Sequence, residues 1–283
     1  SSNGSSLSLS RFSVKLSDGF YAEYSGNFTI DSVSQIFSGT ITGFTVKNID
    51  TSQTYYTGSG FSLNINSSTV ESLDISSVIA TSLSGNDVIS GGSGSDYLMG
   101  FAGNDSLATN AGDDTLVGGN GRDTLDGGTG IDTALYADKI TSVVVALNGA
   151  TSVNVSVGGS VEDSMKNIEN VTGGSAADTL SGDALANILI GNAGNDVLNG
   201  LGGNDVLIGG AGKDTLDGGF GIDTADYSDK TTSVVVTLNG ATNATVTIGG
   251  VAEDTIRNIE NITGGSAADT LTGDGLTNII KGG

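Results

Sequence analysis

Gly91-Gly92-Ser93-Gly94-Ser95-Asp96-Tyr97-Leu98-Met99 and Gly118-Gly119-Asn120-Gly121-Arg122-Asp123-Thr124-Leu125-Asp126 are two copies of one nine-residue pattern. Its sixth position is held by Asp87, Asp96, Asp105, Asp114, Asp123 and Asp132 without a break, and the series returns as Asp196, Asp205, Asp214 and Asp223. The eighth position is apolar throughout: Ile89, Leu98, Leu107, Leu116, Leu125. A Gly- and Asp-rich tract without phasing reads as a linker. With this phasing each unit divides into a Gly-rich half-turn of about six residues and a strand of about three whose apolar residue points inward. Two units make one coil, so Asp87, Asp105 and Asp123 stack along one edge and Asp96, Asp114 and Asp132 along the other. The fold class expected is all-β, a parallel β-roll.

Stacked coils in a parallel sheet lie about 4.8 Å apart. An ion held between neighbouring half-turns can therefore reach oxygens of both at about 2.3 to 2.6 Å. Glycine at the first, second and fourth positions permits positive φ and turns main-chain carbonyls to the ion with no Cβ in the way. The aspartate adds the charge.

The pattern G-G-x-G-x-D-x-U-x resembles the calcium-binding nonapeptide of the RTX family of secreted bacterial proteins. The resemblance implies several calcium ions per chain, each within six oxygens. One turn gives the carbonyls of its second and fourth residues and its Asp; the turn eighteen residues on gives those of its first and third residues and its own Asp. Carried over, Gly85 and Asp87 pair with Gly100, Ala102 and Asp105, while Gly92, Gly94 and Asp96 pair with Thr109, Ala111 and Asp114. Gly103 and Asp105 then face Gly118, Asn120 and Asp123, and Gly112 and Asp114 face Gly127, Thr129 and Asp132. Gly119, Gly121, Gly128 and Gly130 carry the two rims onward. In the second array Asp178 faces Gly191, Ala193 and Asp196, and Gly194 with Asp196 faces Gly209, Ala211 and Asp214. Gly200, Gly202 and Asp205 form one side of a rung, and Gly203 with Asp205 faces Gly218, Phe220 and Asp223. Gly210, Gly212, Gly219 and Gly221 complete that array.

The later array departs from the pattern. Ala176 and Ala267 hold the fourth position, where a left-handed backbone costs a non-glycine residue roughly 1 to 2 kcal/mol, and Asn187 and Asn278 replace the aspartate. The sites opening each later array are therefore expected to be weak or empty, and those at Asp196, Asp205, Asp214 and Asp223 good.

A second, longer period contains the first. Ile131-Asp132-Thr133-Ala134 returns as Ile222-Asp223-Thr224-Ala225, 91 residues on, and Asn167-Ile168-Glu169-Asn170 returns as Asn258-Ile259-Glu260-Asn261. The Val-rich alternation between the arrays reads as β-strand (Val153, Val155, Val157; Val246, Ile248), with Asn148-Gly149 and Asn239-Gly240 as hairpin turns. Residues 1–81 lack the nonapeptide but show alternating runs (Phe12, Val14, Leu16; Phe61, Leu63, Ile65) and most of the aromatics, which predicts a small β-domain or cap. The expected organisation is that domain, a first array at 82–135, a connector at 136–172, a second array at 173–226, a repeated connector at 227–263 and the start of a third array at 264–283. The chain stops at Lys281-Gly282-Gly283, where the long repeat asks for another unit, so a longer parent is expected.

Composition excludes much. The absence of Cys removes disulfides and thiol chemistry, and the absence of His removes Ser-His-Asp catalysis and histidine-ligated metals. No enzyme activity is expected. Paired acids such as Glu162-Asp163 and Asp113-Asp114 read as solvated or ion-facing groups rather than a glycosidase pair, and Glu169 and Glu260 as turn-bonding or ion-ligating groups. With 32 acidic against 10 basic residues the formal charge is −22, which opposes nucleic acid and favours multivalent cations. No apolar stretch approaches the ~20 residues that span a bilayer, so no membrane insertion is expected.

The resemblance implies a secreted protein at the cell surface of a Gram-negative bacterium, exported unfolded by a type I system. The function expected is a non-catalytic extracellular calcium-binding protein that folds on calcium and serves as a surface-layer, matrix, adhesin or filament component. Head-to-tail self-association or binding to a cell-surface polysaccharide would suit it. The alternative is an export and folding module of a larger secreted enzyme (protease, lipase or polysaccharide epimerase). A pore-forming toxin ranks last, because it needs apolar or acylated membrane segments.

Overall fold

The computed structural model describes residues 84–283 in full and, before them, the backbone of four strands. The chain divides into two compact units, Ser1–Gly130 and Ile131–Gly283.

The first unit opens with β1 (Ser6–Lys15), β2 (Phe20–Asp31), β3 (Phe37–Asn48) and β4 (Thr54–Asn66), an antiparallel meander in sequence order. Phe12 and Val14 fall on β1, and Phe61, Leu63 and Ile65 on β4. Leu16 and the packing of the aromatic side chains lie outside the described residues.

The nonapeptides then give three-residue strands: β5 (Val88–Ser90), β6 (Tyr97–Met99), β7 (Ser106–Ala108), β8 (Thr115–Val117) and β9 (Thr124–Asp126). Pairing skips one strand each time and is parallel, β5 to β7 to β9 and β6 to β8, with Ile89 opposite Leu107 and Leu98 opposite Leu116. Eighteen residues therefore make one coil. The middle residue of each strand is buried, while Val88 and Tyr97 beside them are more than half exposed. The core of the roll is a single file of Leu and Ile on each side.

In the second unit the same construction continues through β10 (Thr133–Leu135), β14 (Asn170–Thr172), β16 (Ile188–Ile190), β18 (Val206–Ile208), β20 (Thr224–Asp226), β24 (Asn261–Thr263) and β26 (Ile280–Lys281), which pair in that order, all parallel. The facing side holds β15 (Thr179–Ser181), β17 (Val197–Asn199), β19 (Thr215–Asp217) and β25 (Thr270–Thr272). Each connector inserts an antiparallel meander there: β11 (Val143–Ala146), β12 (Val153–Val157) and β13 (Ser160–Lys166), then β21 (Val234–Thr237), β22 (Ala244–Ile248) and β23 (Val251–Arg257). The last strand of the second meander pairs in parallel with β19 and its first with β25, so a connector is one enlarged coil that leaves the stacking intact.

Asn148-Gly149 makes the wider turn, with Gly149 at φ 53° and Thr151 N–H donating to Asn148 O. The tighter hairpin lies at Gly158-Gly159, where both residues have positive φ (58° and 82°) and Val157 pairs with Ser160, as a two-residue primed turn requires. Gly249-Gly250 repeats it.

The glycine reading is corrected in two respects. Left-handed backbone occurs at the second and fourth positions but not the first. The second position holds it even without glycine, at Phe101 (φ 70°) and Leu201 (φ 72°). First-position glycines are needed for space instead: a Cβ on Gly100 would stand 2.5 Å from both Asp105 Oδ2 and Gly118 O. Ala176 and Ala267 are not left-handed and carry no such penalty; nor are Gly85 and Gly94, which hold the same position in the coils that open the first array. The conformation is imposed where a half-turn stacks on a preceding nonapeptide half-turn.

Gly121→Ala should be strongly destabilising, since its φ is 127° and a Cβ would overlap Gly103 O. The loss exceeds the roughly 1 to 2 kcal/mol of the backbone conformation alone. Gly85→Ala, with open space around it, should melt like the parent in calcium-containing buffer.

Candidate metal centres along the rims

Each sixth-position aspartate ends its half-turn and sends its carboxylate back toward the coil before. There Oδ1 accepts a main-chain N–H from the aspartate one coil earlier: Asp87 to Asp105 (2.8 Å), Asp96 to Asp114 (2.7 Å) and Asp105 to Asp123 (2.8 Å) in the first unit. In the second, Asp178 bonds Asp196 (2.7 Å), Asp196 bonds Asp214 (2.8 Å) and Asp205 bonds Asp223 (2.8 Å). Register along the roll is thus written twice, in strand pairing and in this carboxylate ladder.

One oxygen is left over at most steps. Oδ2 of Asp87, Asp105, Asp196, Asp205, Asp214 and Asp223 is buried with no hydrogen-bond partner. Asp96 differs in both partner and spare oxygen: Oδ2 accepts the N–H of Gly92 in its own half-turn (2.5 Å), leaving Oδ1. A buried carboxylate oxygen without a partner is costly, and its surroundings say what would satisfy it. The point a Cβ would occupy on Gly100 lies 2.5 Å from Asp105 Oδ2 and from the Gly118 carbonyl of the next coil. At Gly191 the same point falls against Asp196 Oδ2 and Gly209 O. Anionic and carbonyl oxygens of adjacent coils converge on glycine-lined space. This all-oxygen donor set suits a hard divalent cation, and the residues fit calcium. Among the described residues no three His, Cys, Asp or Glu side chains gather at one point, so main-chain carbonyls must complete any shell.

Burial pushes the carboxyls of Asp105, Asp196 and Asp205 up to about 6. The N–H bond each accepts works against this, and the neighbouring carboxylates add to it.

Several rungs are built differently. Thr109 stands where other coils have glycine, and its hydroxyl donates to Gly127 O (2.6 Å), one of the carbonyls expected to ligate. Asp178 spends both oxygens on main-chain N–H groups, those of Val143 and Gly174 (2.7 Å each). Asn187 accepts Asp183 N–H (2.8 Å) and donates to Glu169 O (2.7 Å), and Asn278 repeats this with Asp274 and Glu260. At these two rungs an amide N–H reaches the carbonyl.

The connectors carry the ladder onward, through residues that sequence reasoning left undecided or did not assign. Glu169 Oε2 accepts Asp132 N–H and Glu260 Oε2 accepts Asp223 N–H (both 2.9 Å), the bond an aspartate makes elsewhere. Asp254 Oδ1 accepts Asp214 N–H (2.8 Å) across forty residues. Its carboxyl is pushed up to about 7, by burial first and then by the Asp214 and Glu253 charges. Asp163, read as a solvated or ion-facing acid, is buried and accepts the Tyr136 hydroxyl (3.1 Å). The available signal was its place in the inward file of Ser160–Lys166, two residues from Met165. Asp113 is a fifth-position residue.

The raised values fix a sign. A carboxyl whose value rises from 3.8 to about 6 on folding favours the folded state when protonated, so that contribution is present at low pH and lost as pH rises through about 6. In chelator, acidification from pH ~8 to ~5 should increase the β signal in circular dichroism, and calcium affinity should fall over the same interval.

The RTX calcium-binding nonapeptide repeat family matches the chain in four copies, at residues 81–107, 99–134, 172–207 and 190–225. Solved structures that match include an extracellular lipase from Serratia marcescens, at 21% identity and a TM-score of 0.15, covering 62% of this chain and 37% of the lipase. The chain thus spans well under half the length of that enzyme. No curated protein sequence matches. Residues 81–134 and 172–225 are thus two arrays of RTX calcium-binding nonapeptide repeats, carried on an all-β fold of parallel coils.

Proposed function

We propose that the chain is a non-catalytic extracellular repeat protein that folds as it takes up calcium and then serves as a structural component of a surface, matrix, adhesin or filament. The observation that carries this reading is the file of buried, unpartnered carboxylate oxygens. Stacked at coil spacing, they oppose folding until a cation neutralises them, and bound calcium supplies that charge.

The apolar core cannot compensate alone. One Leu or Ile per nine residues returns about 1.5 to 3 kcal/mol, against ~1 to 2 kcal/mol of backbone entropy for each residue ordered. Because the donor oxygens converge only in the coiled state, ion binding becomes folding free energy. Extracellular modules of this class work at ~10⁻⁴ to 10⁻³ M calcium, far above cytosolic levels, so the chain would stay unfolded inside and set outside. A structural role is supported by the 91-residue repeat, in which the connector recurs with the same pairing, and by the lack of His and Cys. Regular stacking along one axis is a form that can extend from molecule to molecule. Service as the folding module of a secreted enzyme would use the same switch, without association of the isolated chain.

Chelator should convert the β spectrum to coil at neutral pH, and millimolar calcium should restore it; a β spectrum that persists without metal would overturn the proposal. Asp205→Asn should weaken calcium binding more than Asp178→Asn in calorimetry, because Asp205 Oδ2 has no protein partner and both Asp178 oxygens do. Light scattering should show calcium-dependent growth beyond the monomer, and a monomer throughout would remove the filament role.

A further inference from the structure

The rung where the second array meets its connector is arranged unlike the rungs within that array, and Lys139, which holds the equivalent place 91 residues earlier, turns its ammonium to Glu162 (2.7 Å). Lys230 lies in the connector, yet its main chain holds the second position of a coil. Ser266 N–H donates to Lys230 O (2.9 Å), as Ala211 N–H does to Asn192 O and Phe220 N–H to Leu201 O (2.6 and 2.9 Å). The absent Cβ of Gly265 faces Lys230 O just as those of Gly210 and Gly219 face Asn192 O and Leu201 O. Lys230 therefore stands one coil beyond Gly210, and its side chain folds back along the axis.

Its ammonium donates to Gly210 O, a second-position carbonyl of the kind expected to ligate metal, and pairs with Asp229 at 3.1 Å. The side chain is only 11% exposed. Its positive charge acts on the two carboxylates of this rung, Asp214 and Asp254, which each keep a buried unpartnered oxygen. Glu253 and the Tyr227 hydroxyl also face Asp254. The donor set here, two acidic side chains and a turn carbonyl, is that of a metal rung with a lysine nitrogen added.

We propose that Lys230 is a built-in cation that takes the place of calcium at this rung. The inference rests on the calcium reading of the other rungs and limits it: the array binds one ion fewer than its stacked acids would allow. An ammonium tied to the chain is present at any calcium concentration. It clasps the connector coil to the array before metal arrives, giving the roll a metal-independent end from which coils can stack. It also fits the sequence, because glycine would serve the main chain at this position and a long basic side chain would not otherwise be required.

The test is equilibrium dialysis of calcium against the full chain and two variants, with circular dichroism to report folding. Lys230→Gly, which restores the usual second-position residue, should bind one more calcium per chain than the parent. It should also need more calcium to reach half-maximal β signal, because the clasp is gone. Lys230→Arg keeps a cation and should bind the parental number. Equal numbers for parent and Lys230→Gly, with superimposable calcium-folding curves, would overturn the proposal. So would a parental midpoint in Lys230→Gly together with a raised one in Lys230→Arg, since a merely steric role gives that order. A parent chain that folds without binding calcium would instead overturn the reading of the other rungs, a result visible before either variant is made.

Discussion

Carboxylates buried one above another set the terms for everything else in this chain. Each spends one oxygen on a main-chain N–H of the coil before, which fixes register, and most hold the other in dry, glycine-lined space beside a carbonyl of the next coil. Within one file the charges repel, and burial raises the cost, as the elevated carboxyls of Asp105, Asp196 and Asp205 show. A fold with a broad apolar core could absorb this. A roll whose interior is a file of single Leu and Ile residues has little apolar burial to set against that cost.

The connectors follow from the same constraint. A meander inserted in one side of the coil could have broken both rims, but Asp254 and Glu260 replace the missing half-turn aspartates and accept the same N–H bonds from Asp214 and Asp223. The added strands bury Val234, Val236, Val246 and Ile256. That is more apolar surface than a plain coil contributes.

Much of this was legible from spacing. Nine-residue phasing and an apolar eighth position suffice for the strands, the eighteen-residue coil, the two edges of aspartates and the buried Leu ladder, because each follows from local geometry repeated without change. Other features were not legible. First-position glycine looked like a need for positive φ and is instead a need for room beside Asp Oδ2, which only the neighbouring coil reveals. Ala176 looked strained and is not, since the coil before it has no Gly-rich half-turn to impose the conformation. Asp254 and Lys230 lie in no nonapeptide, and their roles depend on partners forty and twenty residues away.

The amino-acid sequence by itself determined the architecture of the arrays, the identity of the repeating acid and the chemistry it invites, because a period in residues becomes a period in space once strands stack. Only the tertiary structure decided which oxygens have partners and which do not. Whether a carboxylate is satisfied by an N–H, faced by an ammonium or left for a metal depends on atoms one coil away, and no linear pattern specifies those distances.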